Sequence, residues 1–472
     1  TCALPILQKE WHYIGLWSLL INACLLMPSL YMLQIYDRVL ISHNALTLLM
    51  STLLLVAVLL GVCVAEMARS RLLIKTGIRL DNRLSPELLQ ASFRAQSLGP
   101  QAQPAQALND LMQVRQFLTG QGVLAFFDAP WVVIYIGVLF FLHPLLGQLA
   151  IACSAVLLLL AWFGHKLSSA PTRLALQVSQ QVQADQQAKL RNAEVIQAMG
   201  MLSAVQSLWE SHHLRQMLAQ QALENIALRL QAFSKFLRYT QQSLSLAVGA
   251  WLVIRGDISP GAMIVANTLM SRALQPLDLL VSSWRPLLAA RDALDRMQAL
   301  LQSQPPPTLA GTPPEAAPSL VLNNVSVGVP GARKHVLQDV SFQLAPGQLL
   351  CIMGPSGSGK SSLARTLLGI WPQAQGDVLL GGRPVSTWAP EWRASRLGYL
   401  AQDLELLPGT LAQNIARLGE VDSQKVVAAA HQVGIHEMIL RFPQGYNTHA
   451  AEAGILLSAG QKQRLGLARA VY

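Results

Sequence analysis

The sequence predicts a helical membrane domain followed by a smaller α/β domain. The first observation is composition: of 472 residues, 52% are hydrophobic and 13% are charged, whereas soluble proteins carry about 25% charged residues. The second is a change of residue composition along the chain. A proline-rich stretch separates a long helix-type region from a region of short β-type runs. We therefore expect a membrane domain at 1–302, a linker at 303–319 and an α/β domain at 320–472.

Six apolar segments in the first region predict six membrane-spanning helices, paired into three hairpins. The first two contain no Asp, Glu, Lys or Arg, and each exceeds the ~20 residues that a helix needs to cross a bilayer. The lipid bilayer is thus an expected partner. The segments are 13–36, 39–65, 122–142, 144–163, 239–254 and 258–284.

Three charged residues lie within these segments. Asp128 is near the start of the third, next to Pro130 and Trp131, where we expect the membrane interface. Arg272 and Asp278 lie in the last segment, and charges in a spanning helix face a partner helix or a water-filled path. The alternative for this last segment is a buried helix that leaves the membrane early.

Cations indicate the orientation. The only Lys or Arg residues in the three short turns are Arg38 and Arg255, whereas the long connections at 66–121 and 166–238 are rich in Arg and Lys. Because cytoplasmic loops are enriched in cations, we expect these connections and the α/β domain to be cytoplasmic. The bias also accounts for the net charge of +10. No dense basic stripe with interleaved aromatic residues is present, so no nucleic-acid partner is predicted.

The long connections are themselves predicted to be helical. They are rich in Leu, Ala, Gln and Arg and contain few Gly or Pro residues. The connection at 166–238, folded as two arms of about 36 residues, would reach roughly 50 Å from the membrane at 1.5 Å per residue. In the α/β domain, β-type runs lie at 320–325, 336–344, 349–353, 377–380 and 397–400.

The run GPSGSGKS at 354–361 satisfies the phosphate-loop pattern GxxxxGK[ST]. It follows the predicted strand 349–353 and opens a predicted helix at 361–368, a context that disfavours an ordinary glycine-rich turn. Backbone N–H groups of the loop and the helix N-terminus bind phosphate. Lys360 supplies charge for the β and γ phosphates, and the Ser361 hydroxyl can ligate Mg²⁺. The predicted phosphate-contacting residues are Gly354, Pro355, Ser356, Gly357, Ser358, Gly359, Lys360, Ser361 and Ser362.

Two further motifs carry a family resemblance. Gln402 follows a predicted strand in YLAQD, where it could ligate a metal and water; taken alone it would be interpreted as a surface glutamine. LSAGQ at 457–461 resembles the LSGGQ signature of ABC transporters, with Ala459 in place of a glycine. The segments FFDAPWVVIYIGVLFFLHPLLG and GYLAQDLELLPGTLAQNIARLG are similar to type I secretion ATPases of the PrtD type, which export proteases and lipases. The resemblance runs from about residue 14 to residue 472.

The resemblance implies a six-span ABC exporter with a P-loop ATPase domain, acting as a homodimer in the bacterial inner membrane with ATP and Mg²⁺. Lys360 and Gln402 would be catalytic, and Ser361 and Gln402 would hold the metal. Ser458, Gly460 and Gln461 would contact ATP bound at Lys360 of the other subunit. Further implied partners are a periplasmic membrane fusion (adaptor) protein, an outer-membrane channel of the TolC type and an exported protein substrate.

Two departures from the family pattern lead to expectations. Val329 stands where the family often stacks an aromatic residue on adenine, so we expect Val to pack there instead. The family also has a Walker B strand ending in Asp-Glu, then a histidine, after the signature. These fall beyond Tyr472, so we expect a chain of residues 1–472 to lack the catalytic Glu and to be inactive alone.

Three alternative functions remain open at this point. A lipid or drug exporter has the same architecture. A non-transporting P-loop scaffold or repair ATPase also carries a signature motif, but it lacks six apolar spans. A peptidase-containing bacteriocin exporter would need a Cys/His protease domain before the first span.

Overall fold

The computed structural model describes residues 4–98, 104–303, 319–328, 335–371, 375–388, 390–402 and 404–472. The chain divides into two compact units. The first comprises Thr1–Gln96 and Gln101–Pro305, and the second consists mainly of Pro306–Tyr472. Most of the predicted linker at 303–319, and Val329, lie outside the described residues.

The described part of the first unit is helical. Its α-helices are α1 (Leu4–Cys24), α2 (Met27–Gln34), α3 (Leu40–Ser42), α4 (Ala45–Leu98), α5 (Pro104–Thr119), α6 (Gln121–Asp128), α7 (Trp131–Leu142), α8 (Pro144–Arg191), α9 (Ala193–Ala198), α10 (Leu202–Arg255) and α11 (Pro260–Ser303). A π-helical turn, Ile35–Val39, joins α2 to α3.

Within the described residues, three helices are long and apolar enough to cross a membrane: Glu10–Ser42, Ala45–Gln96 and Pro144–Arg191. The pair α6 and α7, bent by 44°, makes a fourth if counted as one span. The predicted spans at 239–254 and 258–284 lie mainly in α10 and α11. In the part that the structure describes, these two helices do not contain a stretch that is long and apolar enough to be counted as a membrane span. The charge-free part of α10 is shorter than the ~20 residues that a span requires, and α11 contains Arg272 and Asp278. Six spans therefore stay a prediction.

Asp128, which the sequence places at the membrane interface, is the last residue of α6 and precedes the break before α7. In the structure its Oδ1 accepts hydrogen bonds from Ser18, from Asn22 Nδ2 (2.8 Å) and from Arg69 Nη1 (3.3 Å). Ser18, Asn22 and Arg69 are buried. Because a buried carboxylate is tolerated only when it is paired, this contact set offsets the cost of placing Asp128 among apolar helices.

The predicted helical arms are confirmed. The connection at 166–238 continues α8 to Arg191 and begins α10 at Leu202, and α8 packs against α10. The short helix α9 lies between the two arms. Gly256, with φ of 82°, ends α10 in the left-handed conformation that favours glycine.

The second unit contains a four-stranded antiparallel sheet with the order β2-β1-β3-β4. The strands are β1 (Leu320–Gly328), β2 (His335–Leu344), β3 (Gln375–Leu380) and β4 (Arg383–Pro384). The predicted strands at 349–353 and 397–400 are wrong as assignments, because neither segment pairs with a described strand. A strand exists only when a neighbour takes its backbone hydrogen bonds. Leu349 and Met353 are accordingly 95% and 85% exposed.

The described part of this unit also contains seven α-helices: α12 (Lys360–Leu367), α13 (Pro390–Arg396), α14 (Leu411–Ile415), α15 (Ser423–Gln432), α16 (His436–Leu440), α17 (Ala450–Leu456) and α18 (Ala459–Val471). They form two hydrophobic cores. One packs the sheet against α12 through Val325 and Leu363, and the other packs α14, α15 and α18 through Leu411, Ala430 and Leu465. The phosphate loop lies at the first core and the LSAGQ segment at the second.

Candidate functional site

The phosphate loop has the backbone conformation that its glycines permit. Gly357 and Gly359 have φ of 84° and 91°, a region that side chains rarely adopt. A Cβ on Gly359 would also lie 2.9 Å from Leu337 Cδ2. The loop leads directly into α12, which begins at Lys360 and has no side-chain cap at its N-terminus. Glycine is therefore required at position 359 for both reasons.

The Lys360 ammonium group lies inside the curve of the loop. Its Nζ donates to the carbonyl oxygens of Gly354 (2.7 Å) and Pro355 (2.8 Å) and contacts Ser358 Oγ at 3.4 Å. Residues 354–358 and Ser361 are exposed. A charged donor inside an accessible loop, with an uncapped helix start behind it, fits an anion with several oxygen atoms.

Gln402 is exposed and follows the segment 397–400. It makes no hydrogen bond within the described part of the chain. Ser361, the other predicted metal ligand, lies in the first turn of α12. The described contacts therefore do not join the two predicted metal ligands. The residues have suitable oxygen atoms for Mg²⁺, and both side chains are free to approach a ligand from solvent.

The LSAGQ segment starts α18 with a reciprocal cap. Ser458 Oγ accepts from the backbone N–H of Gln461 (3.3 Å), and Gln461 Oε1 accepts from the backbone N–H of Ser458 (2.9 Å). The S-x-x-Q spacing could have predicted this capping box. Ser458, Ala459 and Gly460 are exposed, and a Cβ on Gly460 would meet no atom within 4 Å. The cap leaves an open, positively polarised helix start.

Sequence reasoning missed a buried polar network behind this segment. Asn414 in α14 is 1% exposed, and Arg469 in the last turn of α18 donates to it. Arg417 donates in turn to the carbonyl oxygens of Arg469 (2.8 Å) and Ala470 (3.0 Å). A signal was available, because the carboxamide of Asn414 lies between apolar residues in TLAQNIA, where an unpaired polar group is unfavourable.

Comparison with known proteins identifies the family. The family described as ABC transporter transmembrane region matches residues 11–277, and that described as ABC transporter matches residues 337–472. The first match alone covers more than half of the chain. The chain belongs to the ABC transporter family.

The curated relatives of this ABC transporter include type I secretion proteins. The "Type I secretion system ATP-binding protein PrsD" of Rhizobium meliloti (strain 1021) is 39% identical over 97% of this chain and 79% of the relative. The "Leukotoxin export ATP-binding protein LtxB" of Aggregatibacter actinomycetemcomitans is 26% identical over 96% of this chain and 65% of the relative. The "Cyclolysin secretion/processing ATP-binding protein CyaB" of Bordetella pertussis (strain Tohama I) is 29% identical, and the match covers 67% of that protein.

A solved structure agrees on the fold. The "bacterial Atm1-family ABC exporter with ATP bound" superposes with a TM-score of 0.80 at 22% identity, over 99% of this chain and 84% of that one. At this identity the likeness concerns the fold alone. The predicted fold class is confirmed as a helical ABC exporter transmembrane domain followed by an ABC ATPase domain. The resemblance to type I secretion ATPases is confirmed by the relatives.

Proposed function

We propose that this ABC transporter exports protein across the bacterial inner membrane, driven by ATP hydrolysis, as the energising subunit of a type I secretion system. One observation carries the proposal: PrsD is 39% identical over 97% of this chain, which includes the membrane region and the ATPase region. Two relatives whose names include leukotoxin export and cyclolysin secretion support protein as the cargo class. Protease-like or lipase-like proteins are the proposed cargo.

The phosphate loop is the proposed ATP site. Lys360 now donates to two carbonyl oxygens of its own loop, and in the proposed complex it donates to the β and γ phosphate oxygens instead. The other loop residues, 354–359, supply backbone N–H groups, together with the start of α12. Ser361 and Gln402 would hold Mg²⁺, which supplies charge neutralisation for phosphoryl transfer. Val329 would pack near the base.

The ATP site is proposed to be completed by a second copy of the chain. Ser458 and Gly460 are exposed at the start of α18, so they are accessible to a phosphate held by another subunit. Gln461 keeps the helix start in place through its cap on Ser458. The cation distribution of the sequence supports an ATPase domain on the cytoplasmic side. A membrane fusion protein and an outer-membrane channel are the proposed partners.

Lys360→Ala in the complete transporter tests the proposal. The chosen readouts are ATP hydrolysis in proteoliposomes and the proteins released into the medium by cells that depend on this transporter, quantified by mass spectrometry. We expect both to fall by on the order of 100-fold or more, because the variant lacks the ammonium group that stabilises the transferred phosphate. The amount of transporter in the membrane should be unchanged.

Lys425→Ala is the matched control. Lys425 lies in α15 of the same unit, is exposed, and pairs only with Asp422 in the described contacts. This variant should behave as wild type. Secretion by Lys360→Ala at the wild-type level and with equal membrane abundance would refute the function.

A further inference from the structure

A groove runs along α8, α10 and α11 in the first unit. It consists of two adjoining cavities of about 320 Å³ and about 250 Å³, which share Arg238 and Asp278 in their walls. The larger cavity follows α8 from Ala161 to Ser168, and the smaller follows it from Leu149 to Leu157. The two cavities therefore occupy consecutive stretches of the same helix.

The larger cavity is cationic. Lys235 and Arg238 line it, and Asp278 is its one carboxylate. The Asp278 carboxylate already has partners, because its Oδ1 accepts a hydrogen bond from Ser234 Oγ (2.8 Å) and its Oδ2 lies 3.8 Å from Arg238 Nη1. Two cations against one paired carboxylate leave a net positive charge. This charge is complementary to an anion.

A histidine lies in the same wall. Trp284 Nε1 donates to His165 Nδ1 at 2.5 Å. This hydrogen bond holds the His165 ring in the wall that also contains Lys235 and Arg238.

The smaller cavity is mainly apolar, and its polar lining residues are Arg238, Asp278, Thr240 and Gln241. Its lining includes Leu149, Val156, Leu157, Leu244 and Leu274. Gln241 also lines it, is 3% exposed, and has no hydrogen-bond partner for either its amide nitrogen or its amide oxygen. A buried carboxamide without partners costs free energy that a hydrogen-bonding ligand would recover. Gln241 therefore indicates a polar atom of an otherwise apolar ligand.

The two cavities lie at different depths of the predicted span 144–163. The apolar one is inside the span, whereas His165 follows its end, where Lys166 lies over the ring of Trp162 at 5.5 Å. Tryptophan and lysine residues mark the boundary between hydrocarbon and headgroups. From residue 149 to residue 165, α8 rises roughly 24 Å at 1.5 Å per residue. The groove places cations at headgroup depth and apolar walls at acyl-chain depth.

We propose that this groove binds an anionic phospholipid as a resident lipid. The phosphate lies at Lys235 and Arg238, one acyl chain lies along the apolar cavity, and the Gln241 amide donates to an ester carbonyl between them. A free phosphate shares the headgroup chemistry but leaves the apolar cavity and Gln241 unused. The proposal rests on the membrane placement of the first unit and not on ATP-driven export, so either can fail alone.

The test compares lipid retention by the complete chain in nanodiscs. Protein equilibrated with phosphatidylglycerol or phosphatidylcholine is transferred to detergent, and retained lipid is counted by native mass spectrometry. Wild type should retain one phosphatidylglycerol per chain in preference to phosphatidylcholine. The double variant Lys235→Gln/Arg238→Gln should retain at least tenfold less. The matched double variant Arg215→Gln/Arg229→Gln removes two exposed charges from α10 outside the groove and should retain as much as wild type.

A second variant keeps the proposal testable if the charge variant folds poorly. Gln241→Leu replaces an unsatisfied buried amide by an apolar group of similar size, so it should fold at least as stably as wild type. Its phosphatidylglycerol retention should nevertheless fall several-fold. Equal retention by wild type and both groove variants overturns the proposal. So does displacement of the lipid by inorganic phosphate as effectively as by long-chain phosphatidylglycerol.

Discussion

Arg469 holds Asn414 at two points, with Nη2 donating to the side-chain oxygen at 2.8 Å and Nε donating to the backbone carbonyl oxygen at 3.1 Å. The same carboxamide binds the backbone N–H and carbonyl oxygen of Leu407, each at 2.9 Å, and the carbonyl oxygen of Thr410 at 3.0 Å. One buried side chain therefore fixes the segment after Gln402 to the end of α18. Burial also lowers the pKa of Arg469, although arginine stays charged at neutral pH.

Asn414→Ala should destabilise the chain by on the order of 1–3 kcal/mol, because it leaves the backbone groups of Leu407 and the Nη2 of Arg469 without their side-chain partner in a buried region. The measurement is thermal unfolding of the purified transporter. Gln424→Ala is the control, since Gln424 is exposed at the start of α15 and should change stability by less than about 0.5 kcal/mol. Equal unfolding temperatures for the two variants would contradict the structural role of Asn414.

Gly261→Ala should weaken the start of α11. The Asp37 carboxylate in the π-helical turn accepts from the backbone N–H of Gly261 (3.0 Å) and from Ser259 Oγ (2.5 Å). A Cβ at position 261 would clash with Asp37 Oδ1, so the carboxylate must move. Loss of such a cap costs about 1–2 kcal/mol. Gly137→Ala in α7 meets no atom within 4 Å and should be neutral or stabilising in the same unfolding assay.

Asp110→Asn should be more damaging than the same change at Asp81. The Asp110 carboxylate is buried and accepts from Arg296 Nε (2.9 Å) and Nη2 (2.6 Å); the hydrogen bond raises the pKa of Arg296. Its loss should cost on the order of 1–3 kcal/mol. Asp81 pairs with Arg115 at 3.3 Å with both side chains about one third exposed, so Asp81→Asn should cost less than ~1 kcal/mol. The urea midpoints of unfolding of the two variants measure this difference. A lower midpoint for Asp81→Asn than for Asp110→Asn would be inconsistent with the buried pair.

The contribution of Asp422 to stability should depend on pH in one direction. Hydrogen bonds from the backbone N–H groups of Lys425 and Gln424 lower the pKa of Asp422, which caps α15. A lowered folded-state pKa means that the stabilisation is complete above the unfolded value of ~3.9 and is lost as pH falls through the folded value. The difference in unfolding temperature between wild type and Asp422→Ala should therefore be constant from pH 7 to pH 5 and shrink below about pH 4. A difference that grew on acidification would exclude this cap as its source.

Local features of this transporter follow from sequence alone. The helical arms in α8 and α10 are predictable because helix-favouring residues run without breakers over many turns. The phosphate loop is predictable because Gly357 and Gly359 permit φ values that other residues resist, and the pattern includes the helix that follows. The capping box of Ser458 and Gln461 depends on a three-residue spacing. In each case the interacting groups are close along the chain.

Tertiary structure decided the features whose partners are distant in sequence. Arg69 meets Asp128, and Asn414 meets Arg469, only after separate helices have packed, and composition does not reveal such pairing. The apolar runs at 349–353 and 397–400 look like strands, yet a strand requires a neighbour to take its backbone hydrogen bonds, and no described segment does so. Gln241 is an ordinary glutamine in the sequence. It becomes a buried, unpartnered amide only because α8, α10 and α11 enclose it.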